Sequence, residues 1–349
     1  MTTSHRRQVS TSPFDSFKIF GHYDRIGEWF VGKNPFVVTM EIDPTNKCNH
    51  CCPGCAGGRV PDDATLGELE MKRAIKEAVV LGLRGITFTG GGEPLLNPHT
   101  IESMEYAKTL DLDVGLITNG SIGYPDWLKL LKICDWIRIS LDAGTSKMHR
   151  FTHGSKDFNK VVQNIKDIIS VKSSSGCTVG LGYLTGKGTD EFRDMMDFVD
   201  LAIELEVDYA QFRPYLAQGK RDLHRFKPVI WKPFEKKSTP KTAIHTSKYK
   251  YDAMLNGRVE RKYDKCYGHQ FATTLCADGN LTICCHTRGL SWAILGNIRK
   301  NSLKEIWDSE QRQEAIKRIN LSKCPLLCRC TFNEILWQIK RPKKHPNHL

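Results

Sequence analysis

The sequence predicts an α/β protein: a parallel sheet with helices over its outer face, followed by a smaller cysteine-bearing module. Between residues 36 and 215, six short apolar runs alternate with stretches of helical periodicity. Parallel strands need helical crossovers, so the alternation reads as repeated strand–helix units, and six strands fall short of the eight in a closed barrel. After Tyr215 the alternation stops in a basic stretch interrupted by prolines, and cysteines return from Cys266 onward. With 349 residues and 40% hydrophobic content, the chain can bury a sizeable core.

Residues 1–35 form an N-terminal extension without strong periodicity, in which Phe17, Ile19, Phe20, Trp29 and Phe30 can lay a short segment against the larger body. The strand pattern opens with the apolar run 36–42, FVVTMEI. A cysteine loop follows, and then a helix whose start is marked by Thr65 and Glu68 at capping-box spacing. Strands over 85–89, 114–118 and 136–140 alternate with helices over about 99–110 and 127–133. Phe158, Val161, Val162, Ile165, Ile168 and Ile169 keep helical spacing before a strand over 178–184. Phe192, Met195, Met196, Val199, Ala202 and Ile203 do the same before a strand over 209–215. The run GLGYLTGK echoes a nucleotide loop, but Leu181 stands where a P-loop has its first glycine and Gly188 where it has Ser or Thr, so the run belongs to the fifth strand. In such sheets the loops after the strand C-termini carry the chemistry.

The segment 216–262 reads as a basic linker with one helix near 249–255. From Lys220 to Lys262 it carries thirteen Lys and Arg against four Asp and Glu, which suits either an anionic substrate or a solvated linker. Residues 263–335 form the second module, in which Asp278-Gly279 between extended residues marks a hairpin. Residues 336–349 form a basic tail. The polar N-terminus and the lack of any long apolar window lead us to expect a cytoplasmic protein without a membrane anchor and with no DNA partner. Thirteen cysteines in that setting point to metals or catalysis rather than disulfides.

Thr45-Asn46-Lys47-Cys48-Asn49-His50-Cys51-Cys52-Pro53-Gly54-Cys55 places four cysteines in eight positions after the first strand. Cys48, Cys52 and Cys55 form C-x3-C-x2-C, with Cys51 as an extra thiol. A cubane iron–sulfur cluster ordinarily takes four thiolates, so three leave one iron open. A zinc knuckle, or a fully ligated cluster that also uses Cys51, is the plainer alternative.

These residues resemble the radical S-adenosylmethionine (radical SAM) superfamily, whose signature is this cysteine spacing after the first strand of a partial (β/α)6 TIM-type barrel; the resemblance runs from about residue 36 to 215. It implies a 4Fe-4S cluster with an open iron site on Cys48, Cys52 and Cys55, with S-adenosyl-L-methionine (SAM) as co-substrate. It further implies SAM contacts at Gly91, Gly92 and Glu93 of the Gly-Gly-Glu-Pro motif, and at Asn119, Ser140 and Asp142 after the third and fourth strands. Two departures stand out. That family commonly has an aromatic residue just before the last cysteine, where this chain has Gly54; many members have Arg-Gly where this chain has His153-Gly154. Adenine packing and the SAM carboxylate contact are therefore expected to be arranged differently.

Cys266, Gly279 and Cys284 form C-x12-G-x4-C, which resembles the opening of the superfamily's SPASM and Twitch modules. The resemblance implies one auxiliary 4Fe-4S cluster in a small C-terminal iron–sulfur domain, with Cys266, Cys284, Cys324, Cys328 and Cys330 available to it; a zinc ribbon is the alternative. Cys134 and Cys177 read as packing residues, whereas Cys276 and Cys285 are candidate hydrogen-atom donors. Arg213, at the end of the sixth strand, is a candidate for a substrate phosphate or carboxylate, or a salt-bridged structural arginine. The resemblance implies an enzyme that cleaves SAM reductively and abstracts hydrogen from a small polar metabolite, such as an aminocyclitol, sugar or nucleotide sugar, leading to oxidation, dehydration or epimerisation. A flavodoxin or ferredoxin-type protein would supply the electron. The alternatives are a maturase acting on a ribosomal peptide and, in another class, an activase or a metal-binding scaffold.

Overall fold

The structure is a computed structural model that describes residues 14–55, 60, 62–172, 176–186, 188–189, 191–215, 231–248, 250–251, 261–324 and 328–342. Its strands are β1 (Thr39–Ile42), β2 (Gly85–Phe88), β3 (Asp113–Thr118), β4 (Trp136–Ser140), β5 (Thr178–Thr185), β6 (Tyr209–Pro214), β7 (Ala243–Thr246), β8 (Ala272–Leu275), β9 (Asn280–Thr282) and β10 (Ile294–Asn297). Together they form a single sheet in the order β10-β9-β8-β1-β2-β3-β4-β5-β6-β7. Strands β1 to β7 run parallel, β8 joins β1 in parallel on its free side, and β9 and β10 close that edge in antiparallel fashion.

The helices are α1 (Tyr23–Phe30), α2 (Glu68–Val80), α3 (Thr100–Thr109), α4 (Trp127–Ile133), α5 (Ser146–His153), α6 (Phe158–Ser170), α7 (Phe192–Glu204), α8 (Lys232–Glu235), α9 (Leu303–Asp308), α10 (Glu310–Lys317) and α11 (Cys330–Lys340). The crossover helices α2, α6 and α7 turn one apolar stripe onto the sheet: Met71, Ala74, Ile75 and Ala78, then Val161, Ile165 and Ile168, then Met195, Phe198, Val199 and Ala202. Cys134 and Cys177 lie in this core as packing residues. No described helix is long and apolar enough to cross a membrane.

Two local expectations differ from the structure. The first turn of α2 is not capped by Thr65, whose hydroxyl meets Thr45 Oγ1 at 2.8 Å in an isolated bridge between their segments. The cap position falls on Gly67, whose N–H donates to Glu70 Oε2 at 2.8 Å, while Glu68 faces outward to Lys72. The segment read as a linker contributes a strand: β7 continues the parallel register beside β6, with Tyr209 opposite Ala243. The helix expected near 249–255 lies almost wholly outside the described residues.

A second core joins the two ends of the chain. Ile19, Ile26 and Trp29 pack with Val38, Tyr263, Tyr267, Phe271 and Leu336. Phe17, Phe20 and Phe30 stay exposed.

Candidate functional site

The cysteine loop follows the C-terminal end of β1, and the glycine loop after β2 is pressed against it. Gly92 N–H donates to the Thr45 carbonyl and Glu93 N–H to the Lys47 carbonyl, each at 2.9 Å. A methyl group on Gly91 would lie 2.0 Å from Asn46 Oδ1, and one on Gly92 would lie 2.0 Å from the Lys47 carbonyl oxygen. The Asn46 side chain fills the space a Cβ on Gly91 would need, and the backbone just before Cys48 fills that at Gly92.

Glu93 is buried at 2% exposure and ties β2 to β3. Its Oε1 accepts Thr118 Oγ1 at 2.7 Å and Leu95 N–H at 3.1 Å, and its Oε2 accepts Asn119 N–H at 2.7 Å. A carboxylate offers about four lone-pair sites, so Oε2 retains one acceptor direction. Burial pushes the Glu93 carboxyl up, against the pull of those donors. Asn119 donates to Asn49 Oδ1 at 2.9 Å and accepts Ser121 N–H at 2.8 Å, while Asn49 donates to Ser121 Oγ at 2.7 Å. This triangle holds the segment between Cys48 and His50 against the end of β3. Ser140, half-buried at the end of β4, has no hydrogen-bond partner for its hydroxyl among the described residues. Asp142 adopts the left-handed region (φ 49°) and accepts Leu184 N–H at 2.6 Å through Oδ1, while its Oδ2 lies 3.4 Å from His153 Nε2.

The other wall of the cysteine loop is the end of α5. Cys51 N–H donates to the His153 carbonyl at 3.0 Å, and His153 Nδ1 lies 3.4 Å from Cys52 Sγ. Gly154 caps the helix at φ 60°, where a Cβ would meet the Cys51 carbonyl at 2.5 Å. His153 is buried, stacked on His149 with ring centroids 4.5 Å apart, and its Nδ1 is 3.3 Å from His50 Nδ1. Burial, with the neighbouring His153, lowers the pKa of both His50 and His149, the latter to about 4. Sequence reasoning reaches His153 only as a departure from the family's Arg-Gly and does not reach His50 or His149. The legible signal was His149 and His153 four apart, hence on one face of a helix. Gly54 lies close to an aromatic ring that follows β6: a Cβ on Gly54 would lie 3.0 Å from the Tyr215 ring.

The donor set fits an iron–sulfur cluster with an open position. Cys48 and Cys55 are exposed, Cys52 is half-buried, and all three are free thiols. Burial pushes the Cys52 thiol up to about 12, and the negative charge of Cys55 adds to the shift. Burial also raises Cys48, with Glu93 and Cys55 contributing. Neighbouring thiols that resist ionisation together are relieved by a bound cation. Cys51 is exposed as well.

In the C-terminal module, burial raises the thiols of Cys266, Cys284, Cys324 and Cys328; the charge of Cys284 acts on Cys324 and Cys328, that of Cys266 on Cys284 and Cys328, that of Cys324 on Cys266, and Cys285 also acts on Cys328. That mutual influence brings two cysteines beside the hairpin together with two near the C-terminus and fits an iron–sulfur cluster; the side chain of Cys330 lies outside the described residues. Arg329, in the left-handed region at φ 45°, reaches Glu41 of β1 at 3.6 Å. Glu41 also takes Arg288 at 3.0 Å, and Arg288 grips the buried Asp43 through two bonds of 2.5 and 2.7 Å. Burial works against the charge of Arg288, but Asp43 and Glu41 outweigh it and hold it protonated. Cys276 is buried and Cys285 half-buried; burial raises both, Cys285 to about 12, so both stay as thiols. Arg213 has no ion-pair partner among the described residues.

Sequence models of two families match the chain: the radical SAM superfamily over residues 42–199 and an iron–sulfur cluster-binding domain, SPASM, over residues 266–331. A probable GTP 3′,8-cyclase of Pyrococcus horikoshii is 27% identical over 188 residues, which is 50% of this chain and 60% of that protein. Mycofactocin maturase MftC of Mycobacterium tuberculosis is 26% identical over 203 residues, 49% of this chain and 51% of that protein. The matched region thus spans little more than half the length of these relatives. Among solved structures, Streptococcus suis SuiB bound to S-adenosylmethionine superposes with a TM-score of 0.63 at 15% identity, covering 92% of this chain and 76% of that one. Native anSMEcpe with bound AdoMet gives 0.59 at 16% identity, covering 86% and 95%. At these identities the likeness to the solved structures is one of fold.

Proposed function

Because the chain belongs to the radical SAM superfamily and carries a C-terminal SPASM iron–sulfur domain, we propose that it abstracts hydrogen from a small polar metabolite. Oxidation, dehydration or epimerisation would follow. The superfamily's cofactors are a 4Fe-4S cluster and SAM, and the SPASM domain adds iron–sulfur of its own. When bound, they supply one electron and a 5′-deoxyadenosyl radical.

The observation that carries this reading is the cysteine loop at the end of β1, with Cys48, Cys52 and Cys55 braced by Gly91 and Gly92 on one side and by His153 and Gly154 on the other. In this reading those three thiolates hold the cluster. Glu93 offers its remaining acceptor direction to the SAM ammonium, as a carboxylate suits an ammonium. Ser140 turns its unpartnered hydroxyl to the ribose. Tyr215 lends the ring that Gly54 lacks. Asn119 and Asp142 position the loops more than they touch SAM, because their side chains are already engaged within the protein. Cys266, Cys284, Cys324 and Cys328 hold one auxiliary cluster, and Cys276 and Cys285, kept protonated by burial, are the thiols able to give a hydrogen atom to a substrate radical. A flavodoxin or ferredoxin-type partner supplies the electron.

The likeness to a probable GTP 3′,8-cyclase, a protein named for acting on a nucleotide, supports a small-molecule substrate. The likeness to mycofactocin maturase favours a second reading, the modification of a ribosomal peptide. Anaerobic reconstitution with iron, sulfide and reductant should yield 5′-deoxyadenosine from SAM. A fully iron-loaded protein that leaves SAM intact would sink the enzyme reading. Stimulation of the cleavage by a precursor peptide, and not by phosphorylated sugars or nucleotides, would select the second reading.

A further inference from the structure

We propose that Arg138 and Arg213 together form a binding site for a phosphoryl group inside the sheet's concave face. This rests on the enzyme reading and narrows its substrate to a phosphorylated metabolite.

Arg138 of β4 and Arg213 of β6 flank Gly182 of β5, the strand between them. A methyl built on Gly182 would sit 3.6 Å from Arg138 Cδ and 3.7 Å from a terminal nitrogen of Arg213. Because Gly182 has no side chain, the space beside both arginine side chains stays open. The Tyr209 ring covers Gly180 in register with Arg138, and one step below the Trp136 ring covers Gly115. Ser140 and Gln211 stand opposite Gly182 in register, and Arg213 stands one step above them opposite Leu184. The pair therefore faces a space bounded by aromatic rings below and the proposed SAM contacts at the strand ends.

Among the described residues, neither guanidinium has a hydrogen-bond or ion-pair partner, and the Nε of each is buried without an acceptor. Arg138 and Arg213 are half-buried, and the fully buried arginines among the described residues are satisfied: Arg288 by Asp43 and Glu41, Arg312 by Asn34 and the Trp307 carbonyl. The carboxylates that act on the pair are already engaged, Asp142 by Leu184 N–H and His153, Glu41 by Arg288 and Arg329. Burial and the charge of Arg213 pull Arg138 down to about 9. Two arginines still protonated at neutral pH, side by side with no counter-charge, are costly unless an anion joins them. A phosphoryl dianion matches two positive charges and offers three oxygens to two planar forks, whereas a carboxylate matches one fork.

The test is calorimetric titration of inorganic phosphate into the anaerobically reconstituted full chain, with acetate and SAM titrated in parallel. Wild type should bind phosphate saturably, and Arg138→Gln or Arg213→Gln should weaken that binding about tenfold or more. Phosphate should raise the unfolding temperature of wild type and leave that of the double Gln variant unmoved. Wild type that fails to bind phosphate overturns the proposal without reference to any variant. So does a double variant that binds phosphate like wild type, or acetate binding as tightly as phosphate. Loss of SAM affinity with phosphate binding intact would give the pair to the SAM carboxylate instead. SAM cleavage is read separately, so failure of the enzyme reading and failure of this site are distinguishable.

Discussion

Cys52 sits where burial, the charge of its neighbours and the imidazole of His153 all act on one sulfur. Replacing Cys48, Cys52 or Cys55 by Ala should each lower the iron content of the reconstituted protein by about four, one cluster's worth, and abolish 5′-deoxyadenosine formation, whereas Cys51→Ala should leave both unchanged. Tyr215→Ala should weaken SAM binding about threefold to tenfold, with Tyr215→Phe near wild type, because the contact with Gly54 is made by the ring. His269 carries a pH prediction. Burial, with Arg312 adding to it, lowers its pKa to about 3, below the unfolded value of about 6.5. Between those values the unfolded chain binds the proton and the folded chain does not, so stability is present above pH 6.5 and falls as the pH drops towards 3. Urea titrations should show a loss of at most about 3 kcal/mol at pH 4 from this group, and His269→Gln should flatten the slope.

At the scale of elements, two glycines join loops that are distant in sequence. Gly92→Ala would drive a Cβ into the Lys47 carbonyl, and Gly154→Ala would set an alanine at positive φ against the Cys51 carbonyl. Each should cost about 1–3 kcal/mol in thermal or urea unfolding and lower the iron retained at the cysteine loop, since the neighbour in each case is backbone and has little room to move. The six parallel strands were readable because each is an apolar run between helical periods. β7 was not: Ala243–Thr246 is four residues long, lies among lysines and prolines, and becomes a strand only because β6 offers it a free edge. The capping box was misplaced by two residues for a similar reason, as Thr65 had a second use across the loop to Thr45.

For the whole molecule, the N-terminal segment and α11 share one core and hold the C-terminal module to β1. Leu336→Ala removes a fully buried side chain from that core and should cost about 2–5 kcal/mol in a urea titration. Arg288→Ala should cost about 3–5 kcal/mol, because it leaves the Asp43 carboxyl, whose pKa burial already raises, without its partner. The sequence by itself determined the cysteine spacing, the glycine-glutamate motif after the second strand, and the strand–helix alternation, since each is written in residues close together along the chain. Tertiary structure alone decided that Glu93 is shared with Thr118 and Asn119, that His50, His149 and His153 gather beside Cys52, that Tyr215 reaches Gly54, and that Arg138 and Arg213 both approach Gly182. Those contacts depend on which strands are neighbours and on their register, and no local pattern of residues encodes either.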